Sequence, residues 1–339
     1  MMRTPNLAYV GSVAAAILVL ASLPFWASQA VVFVAGVALT SALFALSWNL
    51  LFGYTGIASF GHAAFFSIGA YFTALMLRQS PETSFLLVLA GAILLAAVAG
   101  LVLGYLILPR LTGVHFAILT LAVAEVLHLS ISASRFLGAD DGISGIPRPT
   151  LRLGVFALPL QSHTAYYLFT LVVCVLFTGA LWWLCHGPVG RVLKAIRQDP
   201  ERSAFVGIHV TRYRVLAFTI SAATASLAGA LTAPWTQIVS PEVAFWMNSA
   251  QPMLNSLLGG TSAFFGPVIG SLVVAVLNYQ TRTLLGVSEL VVGGILLGVV
   301  LLAPGGIASL ARRRPKANAG TLHSAAADCA PAIDAGGKV

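Results

Sequence analysis

Charge is what this sequence has least of. Only 8% of its 339 residues are Asp, Glu, Lys or Arg, against 58% of hydrophobic type, and the mean hydropathy is +0.93. That scarcity excludes a soluble globular fold, whose core would leave much of this apolar excess facing water. Cysteine is scarce too. Cys174 and Cys185 lie on one expected helix, about 16 Å apart along its axis, so no disulfide joins them and apolar packing is their role. No G-x-x-x-x-G-K-[ST], H-E-x-x-H or G-x-S-x-G run occurs; a nucleotide-hydrolysing loop, a zinc-protease helix and an esterase elbow are all excluded. The stretch "ADDG" at 139–142 does not continue into a calcium loop.

What is present is a series of long apolar runs. Ten can be traced, at about 9–28, 30–50, 57–77, 84–108, 114–133, 165–185, 214–234, 243–259, 264–280 and 288–303, and most approach the roughly 20 residues needed to cross hydrocarbon at 1.5 Å per residue. In lipid only helices and closed barrels satisfy their own backbone, and these runs are too long for barrel strands. The fold class expected is therefore an all-α polytopic membrane protein, a bundle of about ten transmembrane helices. The first run follows Arg3 and continues into the second without a cleavage-type break, so it reads as a helix. Residues 1–311 form the membrane domain, and 312–339, basic and rich in Ala and Gly, read as a disordered cytoplasmic tail.

Orientation follows from the Lys and Arg residues between the runs. With ten crossings and a cytoplasmic N-terminus, the inner side holds Arg3, Arg110, six residues within 186–214 and five in the tail, thirteen altogether, against five outside. Basic residues favour the cytoplasmic side, so both termini are expected there. The net charge of +8 is thus a topology signal and gives no support to nucleic-acid binding.

Three places carry polar chemistry. The first is "GYTGIASFGHAAFF", 53–66. Gly53, Gly56 and Gly61 permit close approach and a break in the helix, and Thr55, Ser59 and His62 add polar groups. A break at membrane depth is tolerated only beside protein or a water-lined cavity, so this stretch reads either as pathway lining or as tight packing. "SLLGGTSAFFGPVIGS", 256–271, is a second Gly-rich interruption. Glu125, well inside a span, shares a helix face with His128 one turn on and could pair with it; it reads either as a satisfied interhelical hydrogen bond or as part of a proton relay, and it too is a pathway candidate.

The second place is the inner loop "GRVLKAIRQDPERSAFVGI". Asp199 can cap a helix with Pro200 at its first position, Glu201 in its first turn and Gly207 just past its end. Val192, Ala195 and Ile196, spaced against Arg191, Lys194 and Arg197, predict an amphipathic arm leading into it. Phe205 and Val206 are then presented outward, on a headgroup-lying connector or on a docking knob. The third place is the outer loop with Asp140, Asp141 and Arg148, either a plain connector or a receiving surface for an external protein.

Taken together, "WNLLFGYTGIASFGHAAFFSIGAY" (48–71), "GADDGISGIP" (138–147), "GPVGRVLKAIRQDPERSAFVGIHVTRYRVLAFTISAATASLAGAL" (187–231), "VSPE" (239–242) and "LLGGTSAFFGPVIGS" (257–271) resemble the LivM type of branched-chain amino acid ABC transporter permease. The resemblance implies a translocation subunit of a binding-protein-dependent importer in the bacterial inner membrane. It implies as partners a LivH-like permease, two cytoplasmic ATPase subunits that use the ATP, and a periplasmic amino-acid-binding protein, with no cofactor or metal in this chain. It also implies that 191–207 is the coupling element. In the importer pattern E-A-A-x-x-x-G, Glu201 and Gly207 match, whereas Arg202 and Ser203 replace the alanines. Related permeases move urea, short amides or aromatic compounds. A proton-coupled transporter built on Glu125 and His128 is the rival class.

Overall fold

The computed structural model describes residues 7–281 apart from 81, 112, 154 and 155, together with isolated positions between 290 and 307. The expected last run, 288–303, and the tail, 312–339, lie largely or wholly outside the described residues.

The chain is helical, as its hydropathy demands: α1 (Leu7–Trp26), α2 (Gln29–Thr55), α3 (His62–Gln79), α4 (Phe85–Ile107), α5 (Val114–Ala133), α6 (His163–His186), α7 (Pro188–Gln198), α8 (Pro200–Phe205), α9 (Val210–Thr236), α10 (Ala250–Gly259) and α11 (Gly266–Thr281). Five of these, α2, α4, α5, α6 and α9, are long and apolar enough to cross a membrane. Their outward faces carry Leu87, Leu94, Leu95, Val98, Val172, Leu176 and Trp183, all exposed. A helix apolar on every side belongs in hydrocarbon or in the middle of a bundle, and α9 is the latter. It is surrounded by α2, α3 and α4 and buries Phe218, Leu227, Leu231 and Trp235.

Small residues set how close these neighbours come. A methyl on Gly229 would fall on the Phe66 carbonyl, and one on Gly69 on the Ser226 carbonyl, so α3 and α9 cross backbone to backbone. Ser226 extends the same contact by donating to the Ala92 carbonyl of α4 at 2.9 Å. Without a hydrophobic force between helices in lipid, such close packing and interhelical hydrogen bonds are what hold the bundle together.

Three expected runs take a different form. The run 57–77 begins as helix only at His62, because 56–61 is a turn. The run 243–259 is not one helix: two 3₁₀ turns, Pro241–Ala244 and Trp246–Ser249, precede the ten-residue α10, which at about 15 Å covers half a bilayer core. The run 264–280 is a sixteen-residue helix packed tightly on α10. The outer loop, read as irregular, contains strands β1 (Ile143–Ser144), β2 (Thr150–Leu153) and β3 (Phe156–Pro159). β2 and β3 form an antiparallel hairpin, and β1 pairs antiparallel with β4 (Ile238–Val239), which follows α9. Hydrogen-bonded pairs of two to four residues depend on tertiary proximity that periodicity cannot reveal.

Cys174 and Cys185 are both free and buried in α6, as packing residues.

Candidate functional site

The stretch 53–66 is a re-entrant turn. After α2 ends at Thr55, Gly56 takes the left-handed conformation (φ 75°) and its N–H returns to the Leu51 and Phe52 carbonyls, a helix stop that glycine makes without a Cβ penalty. The chain then folds back along α2. Trp48 Nε1 donates to the Ser59 carbonyl at 3.0 Å, so by Ser59 the backbone has come back alongside the helix it just left. α3 consequently starts inside the bundle, with His62 fully buried.

Each polar group of the turn has an assigned place. Thr55 Oγ1 donates to the Leu51 carbonyl at 2.7 Å, and Ser59 Oγ accepts from the Gly61 N–H at 3.3 Å. Phe60 N–H donates to Thr120 Oγ1 of α5 at 3.2 Å. A Cβ on Gly61 would lie 2.5 Å from the Thr120 carbonyl. The N-terminus of α3 is closed from the far half of the chain, since Ala63 N–H donates to Ser249 Oγ at 2.9 Å. His62 Nε2 lies 2.8 Å from Ser221 Oγ of α9, and that hydroxyl donates its one proton to the Ser47 carbonyl at 2.6 Å. Ser221 must therefore accept from His62, which fixes the ring as the Nε2–H tautomer and leaves Nδ1, buried without a partner, as a bare lone pair. One histidine thus ties α2, α3 and α9 together.

The inner loop folds largely as its sequence foretells. Asp199 accepts from the Arg202 N–H at 3.0 Å and caps α8, with Pro200 at the first position. Its second oxygen pairs with Arg202 Nε at 2.8 Å. Gly207 follows at φ 89°. The departure from the alanine pattern has a physical reading: Ser203 is buried and returns its hydroxyl to the Asp199 carbonyl at 2.8 Å, while Arg202 points outward. Phe205 and Val206 are 90% and 81% exposed. Glu201 is exposed as well.

The amphipathic face of α7 needs correction. Its buried residues are Gly190, Leu193 and Ile196, whereas Val192 and Ala195 sit half-buried at the border. Arg191 faces outward. The other two cations reach the turn: an Arg197 guanidinium N–H donates to the Gly53 carbonyl, and Lys194 Nζ lies 4.9 Å from the Tyr54 ring centroid, within cation–π range. The side chain of Arg197 also passes under Gly56, its Cγ 3.2 Å from where a Cβ would be. The inner arm is fastened directly to the end of α2. Arg197→Gln removes a charge-assisted bond worth about 1.5–3 kcal/mol; the expected result is a several-fold rise in ATP hydrolysed per solute moved in the assembled transporter, read by parallel hydrolysis and uptake assays.

Glu125 and His128 do not pair. His128 Nδ1–H donates instead to the Pro241 carbonyl at 3.0 Å, and the ring packs 5.3 Å from that of Phe245. Pro241 opens the 3₁₀ turn before α10, and a carbonyl oxygen has a second lone pair with which to take the imidazole N–H. Glu125 is left with Oε2 buried and unpartnered. In the outer loop, Asp140 and Asp141 are exposed on the 3₁₀ turn Ala139–Asp141, but Arg148 is half-buried and donates to the Gln161 carbonyl at 2.8 Å. The acids are presented outward and the arginine holds the loop.

Sequence reasoning missed Trp48, Thr120, Ser221 and Ser249, which fix the turn. All four are polar-capable residues within apolar runs and carried that signal. Among the described residues no group of three or more His, Cys, Asp and Glu is arranged to hold a metal ion.

Residues 30–303 match the family model described as "Branched-chain amino acid transport system / permease component". The permease protein LivM of Salmonella typhimurium is 31% identical over 317 residues, covering 88% of this chain and 74% of the relative; LivM of Escherichia coli is 32% identical over 322 residues, covering 89% and 75%. LivH of Salmonella typhimurium is 25% identical over 283 residues, covering 79% and 91%. No solved structure matches. A chain with apolar spanning helices, a re-entrant turn and a capped inner arm, matching this model over most of its length, belongs to the family of branched-chain amino acid transport system permease components.

Proposed function

We propose that this chain is the translocation subunit of a binding-protein-dependent ABC importer for branched-chain or other aliphatic amino acids in a bacterial inner membrane, with both termini cytoplasmic and about ten crossings. Its partners are a LivH-like permease, two ATPase subunits that consume the ATP, and a periplasmic amino-acid-binding protein received at Asp140 and Asp141.

The observation that carries this reading is the grip of α7 on the re-entrant turn. An element fit to feel ATPase closure, with Phe205 and Val206 standing free at its tip, touches through Arg197 and Lys194 the end of α2 from which the turn departs. Force on α8 then reaches Gly53, at the end of α2, through α7, and the turn beyond it, held by single hydrogen bonds to α5, α9 and Ser249, is the part able to shift relative to the arm. Alternating exposure of a path along Gly53, Thr55, Gly56, Ser59, Gly61, His62 and Glu125 follows. The lack of a Glu125–His128 pair favours this over a proton relay.

The test is uptake of radiolabelled leucine, with urea and phenylalanine in parallel, into vesicles holding this chain and its genomic neighbours, ATP inside, with and without the binding protein. Leucine uptake that needs both ATP and the binding protein is expected. Preference for urea or phenylalanine would reassign the cargo, and uptake driven by a proton gradient without ATP would overturn the importer reading.

A further inference from the structure

Glu125 is the one acid within a described spanning helix. It lies eleven residues after Val114, about 17 Å along a helix of about 30 Å, hence near mid-depth. Oε2 is sealed from solvent and meets no donor, and no Lys, Arg or His among the described residues forms an ion pair with it. A carboxylate at this depth without a partner is costly and marks a functional position.

Its place on α5 narrows what it serves. One side of the helix, Phe116, Ala117, Thr120, Ala124 and Ile131, is buried in the bundle; the other, with Ile118 and Leu129, is exposed, and Glu125 stands at the border. A carboxylate edge facing lipid is the least tolerable arrangement, so protein or a water-filled path covers this border. Two irregular segments of the membrane domain attach to α5 on either side of it. Phe60 of the re-entrant turn binds Thr120, five residues before, and Pro241 of the descending segment binds His128, three residues after. Interrupted backbone at membrane depth is tolerated only beside protein or a cavity. Glu125 therefore sits level with the gap between these two interruptions, a carboxyl group flanked by Ile118 and Leu129.

We infer that Glu125 is the subsite that receives the ammonium group of the transported amino acid, while the aliphatic side chain runs along the apolar stripe of α5. This rests on the importer reading above and sharpens it. A carboxylate and an ammonium combine hydrogen bonding with opposite charge, whereas urea or a neutral amide can donate a hydrogen bond but brings no countercharge and an anion is repelled, so Glu125 selects for amine-bearing cargo within the membrane.

The test uses the complete transporter in proteoliposomes with saturating leucine-loaded binding protein. In Glu125→Gln, leucine uptake is expected to fall about tenfold or more while binding-protein-stimulated ATP hydrolysis stays within about twofold, and Glu125→Asp should recover part of the uptake, as expected when a charge-assisted bond to cargo is lost. In a Cys329→Ser background, Glu125→Cys should react with the water-borne cation 2-(trimethylammonium)ethyl methanethiosulfonate, and turnover with loaded binding protein should slow the reaction. Unchanged uptake in Glu125→Gln would overturn the inference. So would uptake and hydrolysis falling together with Glu125→Cys unreactive, the pattern of a structural pair with a neighbouring subunit. Failure of the unaltered complex to import leucine would remove the importer reading, and this inference with it.

Discussion

Phe205→Asp is expected to abolish import while leaving the permease inserted and folded. The ring is 90% exposed at the tip of a six-residue helix whose cap, Asp199, and first residue, Pro200, hold its shape without it. Removal of its apolar surface therefore costs the isolated chain little. In a complex, an apolar anchor that fills a partner's cleft contributes about 2 kcal/mol or more, and a buried carboxylate in its place adds a desolvation cost. Uptake should fall by at least about tenfold, with ATPase subunits recovered in reduced amount on purification of the complex. Glu201→Ala, on the same short helix, provides the contrast: it removes only a charge near the helix N-terminus, worth about 0.3–1 kcal/mol, and should change uptake little. If Phe205→Asp imported normally, α8 would be a connector on the headgroups.

The second large effect is structural. Gly229→Leu forces a side chain into the Phe66 carbonyl at the α3–α9 crossing, where both partners are backbone and neither can turn aside. Overpacking of a well-fitted core costs about 1–3 kcal/mol and more where nothing yields. Because α9 is the central helix, the expected outcome is loss of folded protein, seen as a collapse of the monodisperse peak in detergent and rapid proteolysis. Gly179→Leu in α6, where a Cβ would meet nothing within 4 Å, should leave the peak unchanged. Equal behaviour of the two variants would contradict the packing account.

Much of this molecule was legible in the sequence, and the limits are physical. Long runs of apolar residues can do little except span, so α2, α4, α5, α6 and α9 follow directly. The cap of α8 was legible because Asp–Pro–Glu and a glycine seven residues after the proline encode a short helix locally. Legibility failed wherever a distant segment decided the outcome. The i, i+3 spacing of Glu125 and His128 predicts a pair, yet the Pro241 carbonyl, over a hundred residues away, takes the imidazole. Hydropathy predicts one span over 243–259, but the 3₁₀ turns there are held by contacts such as Ser249 to Ala63. On α7, which packs on α2 and α6, the periodicity was right and the face slightly rotated, because Leu193 is buried and Val192 only half-buried. The glycines of 53–61 announced a break; that the chain doubles back on α2 depended on Trp48 reaching Ser59.

The central claim is that the inner arm and the re-entrant turn move relative to each other during transport. Gly56 and Arg197 allow a direct test, since a Cβ on Gly56 would lie 4.0 Å from that of Arg197, within disulfide range. In the assembled transporter, Gly56→Cys with Arg197→Cys, in a Cys329→Ser background, should cross-link on mild oxidation. Leucine uptake should then stop and should return to its starting rate on reduction. An oxidised, fully cross-linked complex that imports leucine as fast as its reduced form would contradict the account, because the arm and the turn would then have no need to part.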